Sequence, residues 1–368
     1  GNKYEPQQGN GMLEQFCLFE SGSDGYHTYR IPALTVSARG TILAFCEARM
    51  FSFLDHGRID LCLRRSFDNG RTWEPRQILI ADGERTCGSP CPVVDGDRIL
   101  LPFCKDSQEV FVMTSDDDGA SWSEPVEITE SAKDPFYTYV GTGPGHGIRL
   151  QSGRLLFPSW IDEGSGPVPT EPWRRSNPDG VTVGGVQSSY MIFSDDHGAS
   201  WQHGPPVEHG QSNECEAVEL ADGSLYMTLR GESLECGRGH SHSHDGGDTW
   251  SDIVFDDRLP QPGCLGSVIR LDDDTVILAH PSDPDKRAKL AIYASTDGCR
   301  NWPASRVLCP GASAYSDLAI ADDGNILCLY EVLNEDELKV HDANGLARGY
   351  TKLVLARFSK EWIDSADA

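Results

Sequence analysis

The chain has 368 residues, 31 Lys and Arg against 57 Asp and Glu, a formal net charge of −26 and a pI near 4.7. A surface this acidic repels phosphate and lacks the basic clusters that dock on anionic lipid, which argues against nucleic-acid binding and membrane-surface binding. Hydrophobic residues make up 38% of the chain, as in folded globular proteins. No apolar run approaches the roughly 18 residues of a membrane helix, and the first ten residues lack the form of a signal peptide.

The first repeated element is a tight turn followed by an apolar strand. Each turn carries Gly or Asp where a positive φ is often needed, and each strand is apolar enough to be buried, as in SARG-TILAFCEAR. Six copies occur, roughly one per 50–70 residues, and they begin at Ser37, Val94, Gln151, Ala221, Leu271 and Ala321.

The second repeated element has the form S-x-D-x-G-x-x-W. We expect Ser and Asp to cap a turn, Gly to take the left-handed conformation and Trp to pack between sheets, so these repeats define architecture and not chemistry. The copies run over Ser66–Trp73, Ser115–Trp122, Ser194–Trp201, Ser243–Trp250 and, with Cys299 in place of the glycine, Ser295–Trp302.

Short strands in six repeated units predict an all-β fold, a six-bladed β-propeller of four-stranded antiparallel blades. A strand near Gln15–Phe19 is expected to close the last blade. Residues 1–368 would form a single domain with a Gly/Pro-rich loop insertion at about 161–187, which is either a lid or a tolerated insertion. Three residues in or beside this loop could touch a substrate: Trp160, Trp173 and Arg174.

Cysteine, histidine and aspartate clusters give no clear metal site. The twelve cysteines include no CxxC pair, and several lie in apolar runs, which indicates buried thiols. His240, His242 and His244 alternate along one strand and fit a polar outer strand better than a metal site. The acidic run at 272–274 lacks the spaced ligands of a calcium loop and is interpreted as a solvated turn.

Together with the segment YRIPAL at 29–34, the S-x-D-x-G-x-x-W repeats resemble those of the exo-α-sialidases, also called neuraminidases, with their Asp-box or BNR repeats. The resemblance covers essentially the whole chain and implies that three arginines bind the substrate carboxylate: Arg30, Arg230 and Arg287. Guanidinium groups suit this task because they stay charged and offer planar, bidentate donors.

The segment EARMFSFLDHG matches another sialidase feature. The resemblance implies that Arg49 lies near the substrate carboxylate and that Asp55, six residues later, protonates the leaving oxygen. An Asp on a loop beside arginines suits a general acid, which must change protonation state during the cycle.

The resemblance further implies a tyrosine nucleophile, Tyr315 in SAYSDLAI, assisted by Glu214 in SNECEAVEL. A neutral phenol avoids the repulsion that a carboxylate nucleophile would meet at an anomeric carbon bearing its own carboxylate. Alternation along a strand would place Glu214 and Glu216 on one face, so the N-E-C context and the resemblance single out Glu214.

The predicted function is therefore retaining hydrolysis of terminal α-linked sialic acid, or of a related nonulosonic acid such as Kdn, without a cofactor or metal. Ser89 replaces the Asn expected in the segment GSPCPVVD, which leaves the C5 substituent open. Two other hypotheses are a trans-sialidase or intramolecular trans-sialidase, and a catalytically silent Asp-box propeller that binds glycans. The expected partners are sialylated glycans, glycoproteins or glycolipids, and such substrates favour a secreted or periplasmic location over a cytoplasmic one.

Overall fold

The computed structural model describes residues 13–163, 186–231, 237–334 and 349–365. In this part of the chain, 25 strands and two short helices follow one another, and the strands pair antiparallel within five sheets. No helix in these ranges is long and apolar enough to cross a membrane. The predicted loop residues Trp173 and Arg174 lie outside the described residues.

Strand β1 (Leu13–Glu20) is followed by a first sheet, in order along the chain. It contains β2 (Thr28–Val36), β3 (Ile42–Arg49), β4 (Ile59–Ser66) and β5 (Gln77–Ile80). The second sheet has five strands, β6 (Cys87–Gly88), β7 (Val93–Asp95), β8 (Arg98–Lys105), β9 (Glu109–Ser115) and β10 (Val126–Glu127), and helix α1 (Thr129–Ala132) follows it.

The third sheet also has five strands, β11 (Tyr139–Thr142), β12 (Ile148–Arg149), β13 (Leu155–Glu163), β14 (Val186–Ser194) and β15 (Gln202–His203). The fourth has four, β16 (Ser212–Glu219), β17 (Leu225–Gly231), β18 (Arg238–Ser243) and β19 (Val254–Asp256).

The fifth sheet has seven strands in the order β1-β25-β24-β23-β22-β21-β20. It joins β1 to β20 (Ser267–Arg270), β21 (Val276–Pro281), β22 (Ala288–Ser295), β23 (Ala304–Ile320), β24 (Ile326–Leu333) and β25 (Tyr350–Phe358), before helix α2 (Lys360–Asp364). The predicted pairing of an N-terminal strand with the last strands is confirmed, because Gln15 lies opposite Ala356.

The prediction of six four-stranded blades is wrong, although the all-β class is correct. The described residues form five sheets, of which only two have four strands. The physical reason is the length of β23: its first half pairs with β22, and its second half, from Ser313 onward, pairs with β24. One continuous strand therefore joins the last two repeat units into a single propeller-like sheet.

The S-x-D-x-G-x-x-W turns have the predicted geometry. In the second copy, the backbone N–H of Gly119 donates to Ser115 Oγ at 2.8 Å, and Gly119 has φ of +78°. In the fifth copy, Cys299 takes the glycine's place and its left-handed conformation, with φ of +64°. Trp122 packs against a core cluster shared by the first two sheets, so the repeats pin neighbouring sheets together.

Candidate active site

Three predicted site residues lie on strands at or next to an irregularity in the pairing. The register shifts between Arg30 and Ala33 on β2 and between Ser212 and Cys215 on β16. A third shift lies between Ser313 and Ser316 on β23. Such bulges re-aim side chains out of the regular alternation. They allow Arg30, Glu214 and Tyr315, which come from three different strands, to converge.

Tyr315 and Glu214 form the centre of the site. The Tyr315 hydroxyl donates to Glu214 Oε1 at 2.5 Å, and both side chains are buried. Arg230 Nη1 donates to Glu214 Oε2 at 2.8 Å and to the Tyr315 oxygen at 3.0 Å. Burial, with Glu214 adding to it, raises the pKa of Tyr315 well above its ordinary value although the nearby arginines oppose this shift. The resting phenol is therefore neutral, with an acceptor in place for its proton.

All three predicted carboxylate-binding arginines surround the Tyr315 ring. The guanidinium carbons of Arg30 and Arg287 lie 5.1 and 5.2 Å from the ring centroid, and Arg230 is hydrogen-bonded to its hydroxyl. Among the described residues Arg287 forms no ion pair. Its Nη1 donates to the Tyr350 hydroxyl at 2.9 Å. The cluster can therefore hold one more anion.

Arg49 and Asp55 lie together beside Arg30. Asp55 Oδ1 accepts from Arg49 Nη1 at 2.8 Å and from Arg30 Nη1 at 3.2 Å, yet the Asp55 side chain is 68% exposed. Desolvation opposes ionisation, but Arg49 and then Arg30 outweigh it and hold the Asp55 pKa below its ordinary value. Buried Glu47 accepts from Arg49 Nη2 at 2.6 Å and fixes the guanidinium. Asp55 is thus a reachable carboxylate held by two cations.

The segment predicted to surround the C5 substituent lies next to this group. The backbone N–H of Ser89 donates to Glu47 Oε1 at 2.9 Å, and Ser89 has φ of +55°. A Cβ at Gly88 would lie 2.5 Å from the same oxygen, so the glycine permits this close approach. Trp160, beside the predicted loop, packs against Tyr139 with ring centroids 4.5 Å apart and the ring planes tilted by 33°.

Two residues of the site were missed by the sequence analysis. Glu331 is fully buried and accepts from Arg30 Nε at 2.9 Å and Nη2 at 3.2 Å, and from the backbone N–H groups of Ile31 and Tyr315. Its signal was a lone acid at the end of the apolar strand ILCLYEVL. Tyr350 places its ring 3.9 Å from the Arg30 guanidinium carbon, and nothing in its local sequence marks it.

The histidine row does not gather into a metal centre. His240 stacks on Tyr226 with ring centroids 5.6 Å apart. His240 and His242 lie on β18, which is an inner strand between β17 and β19 and not the predicted outer strand, and His244 follows the end of β18. Asp272 accepts from the backbone N–H groups of Asp274 and Thr275, as expected of a turn.

Within the described ranges, only His146, Glu216 and Asp317 have the composition and spacing to hold a metal ion. The oxygens of these two carboxylates already accept hydrogen bonds from protein N–H groups.

Comparisons with known proteins identify the family of this chain. The family model of BNR repeat-like domains matches residues 36–328. A sialidase from Micromonospora viridifaciens is 28% identical over 364 residues, which cover 89% of this chain and 53% of that protein, so the chain spans about half of it. Sialidase-3 from Mus musculus is 28% identical, with 87% of this chain and 91% of the relative covered.

Solved sialidase structures are also similar to this chain. The Hadza microbial sialidase Hz136 superposes with a TM-score of 0.77 at 25% identity, covering 95% of this chain and 69% of that one. A leech intramolecular trans-sialidase reaches the same TM-score at 18% identity, covering 98% of this chain and 72% of that one, and shows a shared fold alone. The chain therefore belongs to the sialidase family of glycoside hydrolases with BNR repeats.

Proposed function

We propose that this protein is a retaining exo-α-sialidase that releases terminal α-linked sialic acid, or a related nonulosonic acid such as Kdn, from sialylated glycans. One observation carries the proposal: a tyrosine hydroxyl hydrogen-bonded to a buried glutamate inside a ring of three arginines. An anionic sugar needs the arginines, and a nucleophile next to a sugar carboxylate gains from being neutral.

In the first step, Arg30, Arg230 and Arg287 hold the substrate carboxylate. Glu214 accepts the phenolic proton as the Tyr315 oxygen forms a bond to the anomeric carbon. The glycosidic C–O bond breaks, and Asp55 donates a proton to the departing oxygen. The products of this step are the free aglycone and a glycosyl-tyrosine.

In the second step, Asp55, now a carboxylate, takes a proton from water as that water attacks the anomeric carbon. The bond to the Tyr315 oxygen breaks, and Glu214 returns the proton to the phenolate. Two displacements retain the anomeric configuration. No step requires a metal or an organic cofactor.

Asp55 needs a proton that it lacks in the ligand-free protein, because Arg49 and Arg30 hold it ionised. A substrate carboxylate that pairs with Arg30 offsets part of this positive charge. The Asp55 pKa then rises, so substrate binding itself prepares the acid.

The first test is Tyr315→Phe. Turnover of an aryl α-sialoside should fall by at least about 1,000-fold, since the nucleophilic oxygen is lost, while the Tm stays the same. Tyr293→Phe, on β22 and away from the site, is the matched control and should keep full activity. An active Tyr315→Phe variant would refute the mechanism, and an inactive wild type would favour a silent glycan-binding propeller.

A sugar hydroxyl can intercept the glycosyl-tyrosine as readily as water can. NMR identification of the products from a panel of nonulosonic acid glycosides separates hydrolysis from transfer to a second sugar or to a hydroxyl of the same sugar. We expect the free acid in its α-anomer as the first product.

A further inference from the structure

A second buried polar cluster lies next to the candidate active site and has no part in the mechanism above. His146 Nδ1 is 2.7 Å from Asp317 Oδ1 and 3.5 Å from Glu216 Oε1. Both carboxylates are fully buried, and His146 is 6% exposed. Two carboxylates in the protein interior repel each other and are costly to bury unless a cation or several donors offset their charge.

Groups from several strands converge on these carboxylates. Ser267 Oγ, on β20, lies 2.7 Å from Glu216 Oε1 and 3.0 Å from Asp317 Oδ1. The Val268 N–H donates to Glu216 at 2.8 Å, and the Leu34 N–H, on β2, donates to Asp317 at 2.6 Å. Each carboxylate therefore joins its own strand to a neighbouring sheet.

The loop that carries His146 is shaped for this contact. The His146 backbone N–H donates to Glu216 Oε2 at 3.2 Å. Gly145, just before it, has φ of +100°, and a Cβ there would lie 2.0 Å from the same oxygen. A side chain at position 145 is therefore excluded on two grounds, which lets both the backbone and the ring of His146 reach the carboxylates.

The cluster is attached to the strands that carry the candidate catalytic residues. Glu216 follows Glu214 by two residues on β16, and Asp317 follows Tyr315 by two residues on β23. His146 contacts both Glu216 and Asp317. The separation of β16 and β23 at the cluster therefore sets the separation of Glu214 and Tyr315, whose hydrogen bond is 2.5 Å long.

We propose that His146 is a positioning residue that, through Glu216 and Asp317, holds β16 and β23 at the spacing that the Tyr315–Glu214 hydrogen bond requires. This inference rests on the proposed function, because it assigns His146 to the reaction of Tyr315. The imidazole touches neither substrate nor reacting atoms. It acts by keeping the nucleophile and its base within proton-transfer distance.

The protonation of the ring agrees with this role. Desolvation disfavours the imidazolium, but Glu216 and Asp317 outweigh it and raise the His146 pKa from 6.5 to about 9. The other titratable groups near the two carboxylates include the thiols of Cys91, Cys215 and Cys328. Burial raises the pKa of each thiol, and the neighbouring carboxylates add to this shift. Burial, with Asp317 adding to it, also raises the pKa of Glu216 well above its ordinary value, although His146 opposes this shift. At neutral pH the cluster therefore holds an imidazolium beside neutral thiols.

The test compares His146→Ala and His146→Gln with the wild type on an aryl α-sialoside. We expect kcat of His146→Ala to fall about 10- to 100-fold, with KM changing less than about threefold, because the carboxylate-binding arginines stay in place. Free imidazole should restore part of kcat to His146→Ala and leave Tyr315→Phe inactive. If His146→Ala does not fold, His146→Gln, which keeps an N–H donor, should show the same loss in kcat to a smaller degree.

The folded protein gives a readout that does not depend on turnover. A group whose pKa is raised on folding contributes stability below its unfolded pKa and loses it as the pH rises through the folded value. The Tm difference between the wild type and His146→Gln should therefore shrink between pH 6.5 and 9.5.

The outcomes separate the two proposals. An inactive wild type contradicts the sialidase function, while the Tm series still tests the contact of His146 with its carboxylates. If the wild type is active and both His146 variants have the same kcat as the wild type, the positioning role is contradicted. It is also contradicted if imidazole restores no kcat to His146→Ala. Loss of activity on EDTA treatment with recovery on adding Zn²⁺ would also overturn it, in favour of a metal site.

Discussion

Asp55 is exposed to solvent yet held by two guanidinium groups, and this pairing makes a prediction at the scale of one residue. Binding of an unreactive sialic acid analogue with an intact carboxylate should be accompanied by uptake of up to one proton, because the Asp55 pKa rises when Arg30 turns to the ligand. Calorimetry at pH 5.5 in buffers of different ionisation enthalpy measures this uptake. Asp55→Asn should show almost none, and equal uptake in both proteins would contradict the prediction.

Glu331 makes a second prediction at this scale. Its carboxylate accepts from the Arg30 side chain and from two backbone N–H groups. In Glu331→Gln, one accepting oxygen is replaced by an amide NH₂ that donates and that faces the same N–H groups. The substitution also removes the negative charge opposite Arg30. We therefore expect the free energy of unfolding to fall by about 2–4 kcal/mol.

The KM of Glu331→Gln should rise about tenfold, more than kcat falls, because Arg30 loses its orientation. Urea denaturation and steady-state kinetics measure the two effects. Glu361→Gln, on α2 at the surface, is the control and should leave both unchanged. A drop in kcat at constant KM would contradict a role through Arg30.

The Asp-boxes carry a prediction at the scale of a structural element. Asp117 Oδ1 accepts from the Ser121 N–H at 2.8 Å and from Ser115 Oγ at 2.9 Å, so it closes its turn. Asp117→Ala should lower the Tm by about 2–4 °C without changing kcat or KM. Within the described part of the chain, the neighbouring Asp116 forms only a surface ion pair with Arg98. It gives the control, since Asp116→Ala should change the Tm by less than about 1 °C. Equal effects of the two substitutions would contradict the structural role of the box.

The acidity of Asp117 gives the same prediction a pH dependence. Hydrogen bonds from Ser121 lower the Asp117 pKa from 3.8 to about 2. A lowered pKa adds stability above the unfolded value, which is lost as the pH falls through the folded one. The Tm gap between the wild type and Asp117→Ala should thus narrow below pH 4.

The sequence repeats correctly predicted those structural elements that depend on interactions between residues close in sequence. The turns and their buried strands follow from Gly and Asp positions and from apolar runs, and the structure has them where the repeats indicate. The count of blades failed because each of the six repeat units was expected to form its own blade, whereas β23 continues without a break through Pro310 and Gly311. The chain remains extended across them, because β22 and β24 pair with the residues on either side.

The site was less predictable than the strands. The family resemblance supplied the arginines, Tyr315 and Glu214, and the structure places them together. Their supporting contacts could not be predicted in the same way, since Arg30 and its partner Glu331 are 301 residues apart in sequence. The contact of His146 with Asp317 spans 171 residues and has no local signal either.

The whole molecule carries a net charge of −26, while its candidate site gathers cations. Long-range repulsion of an anionic substrate acts over about 30 Å at 0.01 M salt and about 10 Å at 0.1 M. Raising NaCl from 10 to 100 mM should therefore increase kcat/KM about two- to fivefold for a substrate with three sialic acids, and less for an aryl sialoside with one. Kinetics at both salt concentrations give the ratio, and a larger gain for the singly charged substrate would contradict the prediction.

The long-range pairs that complete the site have a consequence for the order of folding. Arg30 enters near the start of the chain, whereas Glu331 and Tyr350 enter near its end, on the two strands that follow β23 in the sheet that β1 closes. Contacts between residues so far apart in sequence form late, because the intervening chain must first be organised. The candidate carboxylate-binding site is thus among the last parts of the molecule to form. A growing or refolding chain that has not yet ordered these strands has most of its sheets but lacks the proposed active site.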